Sequence, residues 1–233
     1  MRPSPRLSRR SLLKATFTAA AITTIGLRAT RAQAQAANHP DLNAQLLVAA
    51  RQDDLPKVER LLAQGAAPNA RNRVGKTVLL FACEKGNLIL ADLMLRNGAD
   101  VGLASVEGVT PLMAASYEGS RDLVKRLLVA GARIEAVDRV HKPAIVYAAG
   151  RGHAGVVEVL LASGIDVDAS YEHGLTLLMW AAGQGQAEVV KLLLARSAKA
   201  GLRDDRGMTA ADIARQSGQP EVIELLGQAQ RGK

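Results

Sequence analysis

The chain has 233 residues with 30 basic and 22 acidic groups, only 3% aromatic side chains and a single cysteine, which excludes an intramolecular disulfide in any compartment. The formal charge of +8 is unevenly spread, because Arg2, Arg6, Arg9, Arg10, Lys14, Arg28 and Arg31 all precede the first acidic residue, Asp41. Setting aside the seven basic residues of 1–36 leaves 23 basic against 22 acidic side chains, so the high isoelectric point gives no ground for a nucleic-acid partner.

The first 36 residues read as a targeting segment rather than as part of a fold. Ser8-Arg9-Arg10-Ser11-Leu12-Leu13-Lys14 is followed by a modest apolar stretch, Ala15 to Leu27. Then come Ala32-Gln33-Ala34 and Ala34-Gln35-Ala36, with small residues at the spacing a signal peptidase reads. This order resembles a twin-arginine export signal, with Leu12 where phenylalanine is commoner. Thr23, Thr24 and Gly26 interrupt the apolar stretch, which is well short of the ~18 residues a spanning helix needs. The expectation is a cleavable signal over residues 1–36, cut after residue 34 or 36 and read through Arg9 and Arg10. A linker over 37–40 follows, and no stable membrane insertion remains after cleavage.

From Asp41 onward the chain repeats every 33 residues. Gly75, Gly108, Gly174 and Gly207 fall on one comb, and Gly86, Gly119, Gly152, Gly185 and Gly218 on a second. Ala49, Ala82, Ala115, Ala148, Ala181 and Ala214 form a third. A fixed period of this length describes a stack of small units, not one closed core. Thr110 to Tyr117 predicts a short helix, opened by a threonine able to cap orphan amides and a proline suited to the first turn. Leu123, Val124, Leu127 and Leu128 then lie on one stripe of a second helix, as do Val156, Val157, Leu160 and Leu161, and Val189, Val190, Leu193 and Leu194. Glycines such as Gly119 and Gly131 stop the helices. Each unit is thus helix, turn, helix and an extended finger, with the alanine comb letting first helices approach closely.

The run Gly108-Val109-Thr110-Pro111-Leu112-Met113-Ala114-Ala115, followed by Gly119, Leu127-Leu128 and Gly131-Ala132, resembles the ankyrin repeat. The resemblance implies an all-α ankyrin solenoid over 41–233, with β-hairpin-like fingers and six helix-turn-helix units at 41–71, 72–104, 105–137, 138–170, 171–203 and 204–229. The outer units read as caps, through Asp41, Asn43 and Gln45 at the front and Gly227, Gln228, Gln230 and Arg231 at the back. In place of the histidine of the family's T-P-L-H core stand Leu80, Met113, Val146, Met179 and Asp212. The four apolar ones either tighten packing, the favoured use, or leave an apolar strip on the concave face. Pro143 and His141 replace the capping threonine and comb glycine of the fourth unit, so its finger is expected to be the least regular.

Residues with chemical potential have structural explanations. Cys83 lies beside Ala82 in a first helix and reads as a packed thiol. His39, His141, His153 and His173 show no metal-ligand spacing, although His141 and His173 belong to neighbouring fingers. Asp53-Asp54, Asp166/Asp168 and Asp204-Asp205 fit turns. No nucleophile triad, phosphate-cradling loop or dinucleotide fingerprint is present, so neither catalysis nor a metal or other cofactor is expected.

The resemblance places contacts on the concave side built by fingers and first helices. The corresponding positions are Arg73, Val74, Lys76, Glu84 and Lys85, then Val106, Glu107, Val109, Tyr117 and Glu118. Arg139, Val140, Lys142 and Arg151 follow, then Tyr171, Glu172, His173, Leu175 and Gln184. Tyrosine and arginine suit anchoring roles, which puts the expected centre at Tyr117, Arg139, Arg151 and Tyr171, with Lys142 and His173 beside it; Trp180 is expected in the core. The function expected is a monomeric, non-catalytic protein-binding module in the bacterial periplasm. The alternative is a dedicated stabiliser or inhibitor of a periplasmic enzyme.

Overall fold

A computed structural model describes residues 40–231. The motif containing Arg9 and Arg10, both expected cleavage sites, residues 37–39 with His39, and the last two residues lie outside that range. Among the described residues the chain forms twelve α-helices and one 3-10 turn. The helices pair in chain order: α1 Pro40–Arg51 with α2 Leu55–Ala63, α3 Val78–Glu84 with α4 Leu88–Arg96, and α5 Pro111–Glu118 with α6 Arg121–Val129. Then come α7 Ala144–Arg151 with α8 Ala154–Ala162, α9 Leu177–Gly183 with α10 Ala187–Ala195, and α11 Ala210–Gln216 with α12 Pro220–Arg231.

Each first helix packs on the first helix of the next unit and on its own second helix, and the second helices form a parallel row. Ala49, Ala82, Ala115, Ala148, Ala181 and Ala214 are all fully buried in the first-helix row. Between the rows lie Val58, Leu90, Leu123, Val124, Leu127, Val157, Leu160, Val190 and Leu193, each fully buried. No unit owns a core of its own, so stability resides in the interfaces.

The positions that depart from the T-P-L-H pattern are buried: Leu80, Met113, Val146 and Met179 are at most 2% exposed. Packing is therefore their use, not an open apolar strip. Two of them also close the helix start. The Thr110 and Thr176 amides donate to the sulfurs of Met113 and Met179, both at 3.4 Å, while each threonine oxygen accepts the amide three residues on. In the last unit the acceptor is a carboxylate, with the Thr209 amide 3.0 Å from Asp212 Oδ2. One capping geometry thus accommodates a thioether or a carboxylate.

The fingers are tight turns rather than strand pairs: only isolated bridges, Val137–Pro143 and Ser170–Thr176, occur among the described residues. Gly75 and Gly108 adopt φ of 76° and 80° at the finger tips. A Cβ at Gly108 would lie 3.0 Å from Asp138 Cα and 3.1 Å from Arg139 N, so the bare glycine lets the next finger's backbone close in. Across these close approaches the Val106 amide donates to Val74 O (2.9 Å), Arg139 to Glu107 O (3.1 Å) and Asp205 to His173 O (3.1 Å).

His141 occupies the same comb position with φ 53°. The fourth finger nevertheless keeps its turn, since Asp138 Oδ1 accepts the Val140 and Lys142 amides at 3.0 and 2.9 Å. The irregular finger is instead the fifth. There Tyr171 replaces the short side chain that Asn72, Asp138 and Asp204 use to collect tip amides. Residues Glu172–Gly174 tighten into a 3-10 turn with His173 at φ 60°. The expected Glu172 to Val140 backbone bond is absent among the described residues. At Gly75 and Gly108 a Cβ would meet the next finger's backbone at 3.0 Å, and by the same geometry the Cβ of His141 is expected to hold the fifth finger off. His141→Gly is expected to stabilise the fold by about 0.5–1 kcal/mol, by relieving a left-handed residue. It should also slow hydrogen exchange at the Glu172 amide, and unchanged exchange there would refute the explanation.

The last unit carries two carboxylates held below their ordinary value. The Thr209 amide and hydroxyl, and then Arg215, favour ionised Asp212. At Asp204 burial opposes ionisation, but bonds from Met208 and Arg206 outweigh it. A depressed folded-state pKa contributes stability that is complete above the ordinary 3.8 and is lost as pH falls through the lower folded values. Acidification below 3.8 is therefore expected to loosen the sixth unit, which holds both carboxylates, ahead of the central units. Amide exchange at Met208 and Asp212 should accelerate relative to Leu80; uniform acceleration would contradict this.

Candidate interaction surface

Fingers and first helices together present a continuous face, and its side chains form an ordered set. The positions 81, 114, 147 and 180 recur at the 33-residue period and carry Phe81, Ala114, Tyr147 and Trp180. Tyr117, the penultimate residue of the third unit's first helix, is 46% exposed. Its ring meets that of Tyr147 edge-on, with centroids 6.0 Å apart and planes at 72°. Cations lie over three of these rings: Arg151 Cζ is 4.6 Å from the Tyr117 centroid, Lys142 Nζ 4.6 Å from Trp180 and Arg51 Cζ 4.9 Å from Phe81.

Helix geometry explains the pairing. Tyr147 and Arg151 are four residues apart on α7, so both point across to Tyr117 on α5. The Tyr147 hydroxyl donates to Asp138 Oδ2, the carboxylate that also closes the fourth finger. Burial, reinforced by that bond, pushes the phenol above its ordinary value of 10.0. The finger and the ring are thereby locked to each other.

Tyr117 and Arg151 are brought together through a ring contact, whereas Lys142 lies over the separate ring of Trp180. Arg139 stands at the adjoining finger, exposed, with its guanidinium 3.8 Å from Glu107. Tyr171 lies apart from this set: it lines another cavity, with Ile134, Ile145, Ile165 and Ala169, and packs on the core. Burial there pushes its phenol up to about 12. His173 is exposed, its Nε2 4.0 Å from a Glu172 oxygen that is also 3.8 Å from His141 Nδ1. The two histidines thus share one carboxylate. No group of three or more metal-ligating side chains suited to an ion occurs among the described residues.

Trp180 packs on the core, as expected. It is half-buried at the face with Lys142 over its ring, and its Nε1 is enclosed without a hydrogen-bond partner among the described residues. Tyr147 and Phe81 are the members of the set that sequence reasoning missed. Reading the 33-residue column through Phe81 would have found both, since it holds three of the chain's six aromatic side chains.

His153 serves the stack itself. Its Nε2 lies 2.9 Å from Tyr117 O, and its ring covers Gly119, where a Cβ would fall 2.5 Å from Nδ1. Gln186 repeats the contact one unit on, donating to Gly150 O at 3.1 Å. Cys83 is fully buried, and burial raises its thiol well above the ordinary value, as suits a packed rather than reactive group.

Among the described residues no helix is long and apolar enough to cross a membrane. No curated protein matches the chain. A family model described as ankyrin repeats (3 copies) matches residues 46–138 and again residues 140–232. The 33-residue period, the paired helices and this double match agree, and the chain belongs to the ankyrin-repeat family.

Proposed function

We propose that this chain is a non-catalytic module that captures a partner protein through the face made by its fingers and first helices, after export to the bacterial periplasm by the twin-arginine route. Ankyrin repeats are interaction modules as a rule, which supports the first half of the reading. The observation that carries it is the Tyr117, Tyr147 and Arg151 cluster, flanked by Lys142 on Trp180. Large rings held in place by neighbouring cations lose little freedom on binding, and such residues dominate interface energies. The export half rests on the order Arg9-Arg10, apolar stretch, Ala-Gln-Ala.

Two measurements test it. Protein recovered from envelope extracts should carry a stoichiometric partner, and the Tyr117→Ala, Arg151→Ala, Trp180→Ala variant should lose it. Capture unchanged in a variant with the wild-type helical spectrum would reject this face. Replacing Arg9-Arg10 by Lys-Lys should block export, and unchanged export would reject the route.

A further inference from the structure

We propose that the concavity bounded by Glu84, Tyr117, Glu118 and Tyr147 receives one basic side chain, an arginine, of the captured protein. This rests on the reading of the finger and first-helix face as the binding surface and names the chemistry of its central subsite.

Three successive first helices build the concavity, whose volume is about 290 Å³: Glu84 comes from α3, Tyr117 and Glu118 from α5, and Tyr147 from α7. Its floor includes Met113 and Ala114, and is apolar. Two carboxylates border the space. Glu84 is taken by Lys76 at 2.6 Å, whereas Glu118 makes no ion pair among the described residues. An anionic ligand would meet repulsion from both, and a neutral apolar one would strip water from Glu118 without replacing it. A small hydrated cation gains nothing from the apolar floor. The ligand that fits all three features has an alkyl stem, a flat cationic head and paired N–H donors for a carboxylate, which describes arginine.

The molecule already applies the same chemistry internally. Lys76 reaches the Glu84 carboxylate, and the Arg151 guanidinium lies over the Tyr117 ring at 4.6 Å. Both walls therefore attract cations, and the edge-on contact of Tyr117 with Tyr147 holds the rings before any ligand arrives. Arg151 does not line the concavity.

The test is an NMR titration of the full chain with acetyl-Gly-Arg-Gly-amide and with its citrulline counterpart, which has the same shape and no charge. Saturable shifts at the Ala114, Tyr117 and Glu118 amides are expected from the arginine peptide alone. Glu118→Gln should weaken its binding about five- to tenfold. Lys76→Ala, which frees Glu84, should tighten it, a gain that loss of folding cannot imitate. Equal binding of the citrulline peptide, or an affinity unmoved by Glu118→Gln, would overturn the assignment. Its failure is separable from failure of the surface reading: no arginine binding with partner capture lost in the Tyr117, Arg151, Trp180 variant rejects only the subsite. Capture through another face rejects the reading beneath it.

Discussion

Gly108→Ala is expected to destabilise the protein by about 2–4 kcal/mol, while the same change at Gly207 costs about 1 kcal/mol. The two glycines are equivalent in the repeat and in backbone shape, at φ 80° and 79°. Both substitutions therefore force an alanine into the left-handed region. They differ in what the new methyl meets. At Gly207 nothing lies within 4 Å, whereas at Gly108 the three nearest atoms, at 3.0 to 3.2 Å, are all backbone of Asp138 and Arg139. Backbone cannot swing aside as a side chain can, so relief requires moving the fourth finger. That movement would break the Arg139 to Glu107 bond and shift Asp138 away from Tyr147. Urea denaturation of the two variants measures the difference. Equal losses would mean that the comb serves each turn locally and does not couple neighbouring fingers.

Leu127→Ala should cost about 2–5 kcal/mol and divide the array, so that one cooperative transition becomes two. Leu127 is fully buried on α6, and α6 packs against α4, α5 and α8. A cavity at that point weakens the third unit's contacts on both sides. In a linear stack each interface depends only on adjacent units, so a weakened middle unit leaves two shorter arrays that melt independently. Leu226→Ala is the control: Leu226 is equally buried, but α12 lies at the end of the row, packed on α10 and α11, and the expected result is local fraying of the sixth unit. Hydrogen exchange resolved along the chain distinguishes the patterns. A uniform loss of protection in both variants would indicate a single cooperative body.

Partner specificity, on this reading, belongs to side chains that differ between units while the frame stays constant. Tyr117 stands in the column occupied elsewhere by Arg51, Glu84, Gly150, Gly183 and Gln216. Glycine in the next two units keeps that column open beside Tyr117, and the array thereby varies its surface without disturbing the buried alanines.

The period, the paired helices, the capping threonines and the buried stripes were legible in the amino-acid order, because each follows from local rules that recur 33 residues apart. The apolar character of Leu80, Met113, Val146 and Met179 favoured packing but left an open strip as the alternative, and their burial decided for packing. Their second role, in which Met113 and Met179 accept a cap amide through sulfur, needed the distance. Likewise, the fourth finger's two unusual residues were visible, yet the distortion appears in the fifth. A side chain at His141 acts on its neighbour rather than on its own turn, and a unit-by-unit reading misses such an effect. The candidate surface depended most on tertiary structure. Tyr117 and Arg151 were both named from their positions, but their stacking, the edge-on contact of Tyr147 with Tyr117 and the separation of Tyr171 arise only when three units are laid side by side. Local sequence determines what each unit is; the space between units, which no single unit encodes, determines which rings and charges meet.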